Sequence, residues 1–486
     1  MQAITASASK FMNFVSTCIS IGPTEFEYAD LKFAYARHVK WDKGMPKRFA
    51  LILILFMVSG CASNGVIHNR PLASMPEQPT YSMREIYGKR PESELSLGLS
   101  FSGGGTRAAA LAYGVLMELR DTPVIVNGVQ RRLLDEVSFI SSVSGGSFTA
   151  AYYGLYGDRI FDDFEKKFLR RDIESQLIHG LFHPYRWFIS KNRTEMAVEQ
   201  YQETVFGNAT FADMRKRGGP LVLINASDLS SGSRISFIQE YFNLLCSDID
   251  TFPVAKAVAA SSAVPLLFAP VVVENFEGCE TRRFKDGLDN VTAHSTNLEV
   301  LQAVEGLKKI VVDKKQIHYL HLVDGGITDN LGLRSFYDAI ELSGGIKSFL
   351  KEMGVKPSRT TVFIVVNAST DPGYGIASST KEPSIEQTIA AASDIQLHRY
   401  NASTLELMQH STQRWHDELE PINPSLESHF IEISLRNVSS PEKHRLFNLI
   451  PTGFSLSDEQ VDELINAGRQ LLRNNPEFKA LVQSMQ

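Results

Sequence analysis

Several things are scarce in this sequence, and each scarcity excludes something. A membrane-crossing helix needs about 20 consecutive apolar residues, and the apolar run Phe49–Val58 is only ten residues long. There is no long basic run, and 49 Lys and Arg face 55 Asp and Glu for a formal charge of −6. A net acidic chain of this kind is a poor nucleic-acid binder, so no nucleic-acid partner is expected. Four cysteines in 486 residues exclude a disulfide scaffold. No Cys-x-x-Cys or His/Cys ligand spacing suggests zinc, and no metal is expected. Internal repeats and low-complexity tracts are absent. The remaining composition, 43% hydrophobic and 21% charged, is that of an ordinary globular protein. The length suits about three domains of roughly 150 residues, or one large α/β catalytic domain with appendages.

The first 92 residues divide into three parts. Met45-Pro-Lys-Arg, the apolar run to Val58, and then Ser59-Gly60-Cys61 have the basic, apolar and small-residue regions of a secretory signal peptide. Val58-Ser59-Gly60-Cys61 also resembles a bacterial lipobox, in which Cys61 carries lipid and begins the mature chain. Ala62 rather than Asp follows, which by resemblance to Gram-negative sorting favours the outer membrane, facing the periplasm. Residues 1–44 precede a signal that should start the chain, so translation is expected to begin at Met45. Residues 61–92 are polar and proline-bearing and read as a flexible tether. Cys246 and Cys279 remain as a possible pair, which the sequence leaves open.

From Leu95 the pattern is strand, glycine turn, helix. Leu95, Leu97, Leu99 and Phe101 alternate with small or polar residues, and Ala108–Arg120 reads as a helix. A second unit places a strand at Val137–Ser141 and a helix at Ser147–Tyr156. Further buried strands are predicted at Leu221–Asn225, Ile317–Val323 and Thr361–Asn367. Strands separated by helices imply an α/β fold with a mostly parallel central sheet and helices on both faces, spanning residues 93–375. Residues 376–486 read as a mainly helical region packing on that core. Ser384 with Gln387 and Ser457 with Gln460 fit capping boxes, and Val461, Leu464, Ile465, Leu471 and Leu472 trace one helical face.

Three features carry chemistry. Ser142-Val-Ser144-Gly-Gly146 lies between a strand and a helix, as a nucleophile elbow requires, with Ser142 where the usual motif has glycine. Ser102-Gly-Gly-Gly-Thr-Arg107-Ala108 also joins strand to helix. The successive Gly103, Gly104 and Gly105 let backbone N–H groups approach an anion, and the helix dipole points the same way. Gly103, Gly105 and Ala108 formally satisfy a dinucleotide fingerprint. The next apolar stretch, Pro123–Val126, ends in Asn127-Gly128 instead of the acidic residue that fingerprint wants, and no cofactor is expected. Third, Asp324 closes an apolar strand and opens a Gly325-Gly326 turn. In parallel sheets, sites gather at the carboxyl ends of strands, and all three groups are expected there. Asp286-Gly287 is a decoy, with no strand before it.

With a fourth block, Ala260-Ser-Ser-Ala-Val-Pro265, the order of motifs over residues 95–335 resembles the patatin-like phospholipase family. The resemblance implies a Ser144–Asp324 dyad without a catalytic histidine, and an oxyanion hole from Gly103, Gly104 and Gly105. It implies a phospholipase A or lysophospholipase type of acyl hydrolase acting through an acyl-enzyme on phospholipids or other acyl esters. Arg107-Ala108 replaces the family's usual basic residue and glycine. It is closer to the cytosolic phospholipases of the same superfamily, which makes Arg107 a candidate phosphate contact or, on the plainer reading, a salt bridge steadying the loop. No calcium-dependent membrane-binding domain is evident, so the lipid on Cys61 would bring the enzyme to the membrane. Two alternatives remain: a Ser–Asp–His triad completed by His398, His410 or His429, and a lipid-anchored binding protein with an inactive core.

Overall fold

The computed structural model describes residues 65–72, 79–173, 193–265, 267–279, 281–371, 376–377 and 380–486. The signal peptide, its upstream extension and Cys61 lie outside the described residues.

An eight-stranded mixed sheet forms the centre: β1 (Leu95–Phe101), β2 (Val137–Val143), β3 (Leu221–Asp228), β4 (Arg234–Ser236), β5 (Val271–Glu274), β6 (Tyr319–Asp324), β7 (Thr360–Asn367) and β8 (Glu427–Ser434). The order across it is β8-β7-β1-β2-β3-β6-β5, with β4 pairing β3 off this path. The strands from β8 through β3 run parallel, whereas β6 is antiparallel to both β3 and β5. The fold is therefore α/β with a mostly parallel sheet. Every residue of β2 and β3 is buried, because helices cover both faces and leave no solvated side to favour alternation. Pro123–Val126 forms instead a separate hairpin with Val129–Arg132, turning at Asn127 and Gly128, both at positive φ.

Helix α1 (Gly105–Asp121) follows β1 and α2 (Gly145–Tyr156) follows β2. Each begins earlier than composition suggests, because the glycines themselves open the helix. Helix α3 (Val254–Ser261) precedes the edge strand β5. Toward the C-terminus, α4 (Ile385–Leu419) and α5 (Asp458–Asn474) both start in full capping boxes, at Ser384/Gln387 and Ser457/Gln460. Helix α5 buries Val461, Leu464, Ile465 and Leu472. It crosses α1 at backbone distance: a Cβ on Gly114 would lie 2.2 Å from Ile465 O, and one on Gly468 would lie 2.4 Å from Leu111 O. That contact explains why α1 is buried almost all round and rich in Ala and Gly.

Two expectations need correction. Residues 376–486 do more than pack helices on the core, since they supply β8, which pairs with β7 at the edge of the sheet. Nor is the segment before the core a flexible tether where it is described. Asn69 is buried and its carboxamide pairs with both the N–H and the C=O of Glu274, at 2.9 and 2.8 Å. The buried ammonium of Lys256 donates to Val66 O at 2.8 Å. Tyr81, wholly buried, bonds through its hydroxyl to both backbone groups of Val222. Polar composition suggested solvation, but here the segment's polar groups bond to the edge strand β5, to β3 and to α3. Cys246 and Cys279 are joined by a disulfide with Cα atoms 5.5 Å apart.

Candidate active site

The site is built where β1 and β2 end and α1 and α2 begin. Ser144 is the N-cap of α2 and adopts φ 51°, ψ −121°. That backbone is costly for any residue with a Cβ, and it turns the side chain out of the strand at the head of the helix. The neighbours must be small: a Cβ on Gly145 would lie 1.9 Å from Gly105 O, and one on Gly146 would lie 2.7 Å from Phe101 O. Ser142, in the motif's usual glycine place, fits because its side chain points beneath the turn. Its hydroxyl donates to Leu223 O at 3.1 Å and meets Ser147 Oγ at 3.2 Å.

Asp324 arrives by a route the parallel-sheet rule does not provide. Strand β6 runs antiparallel, so its carboxyl end points away from the carboxyl ends of its neighbours. Register brings the two residues level: Val143 pairs with Asn225, and Asp324 pairs with Ala226, the next residue on β3. The Ser144 hydroxyl is among the groups that stabilise the charge of the Asp324 carboxylate. Burial pushes the Asp324 pKa up from 3.8 to about 6, while the Gly326 N–H, 2.7 Å from Oδ1, and the Ser144 hydroxyl hold it from rising further. A carboxylate in that range is a usable base near neutrality.

The glycine loop lies against the nucleophile, since a Cβ on Gly103 would come 3.4 Å from Ser144 Cβ. The expectation that all three glycines donate to an oxyanion is corrected at Gly103. Its N–H is already spent on Asn330 O at 2.9 Å. The N–H groups of Gly104 and Gly105 have no protein acceptor among the described residues, and they stand at the N-terminus of α1, where partial positive charge collects. Gly104 (φ 134°) and Gly105 (φ 62°) hold conformations that disfavour other residues.

Arg107 is placed as a tie and does not project freely into the site. Its side chain is buried and donates to Ala368 O (3.0 Å), Ile450 O (2.5 Å) and Thr452 Oγ1 (3.0 Å). Burial lowers its pKa to about 10, which leaves it charged at neutral pH. The salt bridge of the plainer reading is thus replaced by bonds to carbonyls and a hydroxyl, which join the glycine loop to the C-terminal region.

Among the described residues, none of the histidines of the triad reading bonds to Ser144 or Asp324. His429 on β8 pairs in register with Val362, and through Val362 with Leu97 and Val137. Ser144 is seven residues further along β2, about 20 Å at the usual rise per residue. His398 bonds to Asp394 and Arg436, and the His410 side chain is 80% exposed. The decoy Asp286 is exposed on the helix Arg282–His294.

Two residues at the site escaped the sequence reading. Asn330, buried, presents its C=O to Gly103 and donates from Nδ2 to Ser369 Oγ. Ser261 accepts the Ser144 N–H. The only sequence signal for Ser261 was its place in the Ala260–Pro265 block, and for Asn330 its position six residues after Asp324.

Residues 99–337 match the family model described as patatin-like phospholipase, a span that contains the glycine loop, Ser144, Ser261 and Asp324. Among solved structures, the chain is similar to human GIVD cytosolic phospholipase A2, with TM-score 0.40 and 11% identity over 87% of this chain and 66% of that chain. It is also similar to the same enzyme in complex with methyl gamma-linolenyl fluorophosphonate (TM-score 0.38, 11% identity, 87% and 69%). A third similar structure is VipD from Legionella pneumophila (TM-score 0.27, 12% identity, 85% and 73%). The chain thus spans just under two thirds of the length of the first of these. No curated protein matches the sequence.

Proposed function

We propose that this chain is a lipid acyl hydrolase of the phospholipase A or lysophospholipase type, working through a Ser144–Asp324 dyad. One observation carries the reading: a serine in strained backbone at a strand-to-helix turn, its hydroxyl among the groups that stabilise the charge of a buried aspartate with pKa raised to about 6. The match to the patatin-like phospholipase model supports the substrate class.

In this reading Asp324 takes the hydroxyl proton as Ser144 Oγ attacks an ester carbonyl carbon. The oxyanion that forms meets the free N–H groups of Gly104 and Gly105, already oriented at the head of α1. Collapse breaks the ester C–O bond, and the leaving alkoxide takes the proton back from Asp324. Water, deprotonated by the same carboxylate, then attacks the acyl-enzyme; the acyl–Oγ bond breaks, Ser144 Oγ takes the proton back from Asp324, and the fatty acid leaves. No histidine is needed, because burial supplies the basicity that imidazole supplies in a triad. Lipid on Cys61 would hold the enzyme at its substrate, at the periplasmic face of the outer membrane.

The test is mass spectrometry after exposure to a fluorophosphonate ester. One adduct on Ser144, lost in Ser144→Ala and slowed in Asp324→Asn, is the expected result. No adduct, or an adduct on another serine, would overturn the assignment.

A further inference from the structure

The geometry points to Ser261 as the positioning residue that holds nucleophile and base in register with each other, an inference that rests on the dyad reading above. Ser144 and Asp324 sit on strands that are not neighbours, because β3 runs between β2 and β6. Something must fix their spacing, and the Ser144 backbone must also be held in a conformation it would otherwise leave.

One three-residue segment at the end of α3 does both. Ser261 Oγ accepts the Ser144 N–H at 2.9 Å. Ser261 O accepts the Gly325 N–H at 3.2 Å, and Ala263 O accepts the Asp324 N–H at 3.0 Å. The backbone of the nucleophile and the backbone of the base are thus bonded to the same turn of chain.

The proton count of the Ser261 hydroxyl fits this role. Its single proton goes to Asn225 O at 2.6 Å, on the intervening strand, so toward Ser144 the oxygen can only accept. Ser147 Oγ, one turn into α2, lies 3.0 Å away and completes its surroundings. The side chain is wholly buried, so no water can stand in for it at once. Removing the hydroxyl leaves the Ser144 N–H without a partner at the point where the backbone is most strained. Ser262, equally buried, is a natural control. Its hydroxyl bonds back to Val258 O within α3 and has no bond to either strand end.

The experiment compares wild type, Ser261→Ala, Ser261→Thr and Ser262→Ala as the full chain, at a temperature where circular dichroism shows each folded. It measures kcat and KM on a soluble short-chain ester and the rate of fluorophosphonate labelling at Ser144. It also follows amide exchange in peptides covering residues 137–147 and 319–326. Ser261→Ala should lower kcat and labelling roughly 10- to 100-fold with KM nearly unchanged, the effect of a buried N–H left unpaired. Its pH limb should stay in place, because Asp324 keeps its own partners. Exchange should rise in both peptides together, with Ser261→Thr recovering most of the loss and Ser262→Ala resembling wild type. A Ser261→Ala enzyme that loses thermal stability but keeps its kcat, with exchange raised in neither peptide, overturns the proposal. Should Ser261→Ala fail to fold, the Thr variant and a Ser261→Cys variant, which keeps volume with a weak acceptor, carry the same comparison. If wild type is not labelled at all, the hydrolase reading fails. The paired rise in exchange then still decides whether Ser261 couples the two strand ends.

Discussion

The two ends of the central sheet are built from different material. Where β2 begins, Phe139 stacks on Phe336 at 4.3 Å, and Phe363 and Trp415 close a cluster of rings around them. At the other end of that strand and on the elements packed against it, the buried side chains include hydroxyls and a carboxamide: Ser142, Ser144, Ser147, Ser261 and Asn225. Burial of rings is strong and its main term is non-directional, with only a smaller preference for stacked or edge-on geometry. Hydrogen bonds are individually weaker and fix direction. The aromatic end secures the sheet, and the hydroxyl end spends some of that security on one serine in a conformation it would not choose.

That division can be broken or sharpened by substitution. The largest effect should be Ser144→Ala, which removes the nucleophile: ester hydrolysis should fall by several orders of magnitude, while the melting temperature, read by calorimetry, stays level. A matching loss of stability would mean the serine is part of the framework and not its passenger. Next, Phe336→Ala should cost about 3–5 kcal/mol in denaturant unfolding, yet leave kcat per folded molecule within about twofold. A collapse of kcat at full folding would show the two ends to be coupled. With Asp324 held near a pKa of about 6, the base is ionised above that value and protonated below it. The rate should therefore drop roughly tenfold between pH 7 and pH 5, and Asp324→Asn should abolish this limb. The smallest effect is expected for Ser142→Gly. It deletes the buried bonds of its hydroxyl to Leu223 O and with Ser147 Oγ and restores the commoner motif, so kcat should move less than about threefold, with a stability loss of about 1–2 kcal/mol.

How much of this was legible in the chain differs between the same two ends. Leu95 to Phe101 and Leu221 to Asn225 announce strands because apolar residues in short bounded runs have few other uses. The glycines at 103–105 and 145–146 announce the turns because no other residue fits there. The direction of β6 was not legible. A strand's pattern of apolar residues reads the same forwards and backwards, and only pairing with β3 and β5 reveals that Asp324 comes from the opposite sense. Ser261 was hidden for a related reason. Its role exists only once the end of α3 meets two strand ends more than 60 residues away in one direction and 100 in the other. Residues 65–72 misled because polar side chains that complete a sheet edge have the same composition as those that face water. Gly103 misled in another way: a free amide and a bonded one are written with the same letter.

The contact between α1 and α5 has a consequence in time. The helix whose first turn carries the glycine loop is closed on one side by Ile465 and Gly468, and Gly453 O accepts the Thr106 N–H just after that loop. A chain synthesised from its N-terminus therefore presents Ser144, Asp324 and the loop well before the residues that lock the loop exist. The site's parts come early and its closure comes later, so the arrival of residues 453–468 sets the moment at which the site becomes whole.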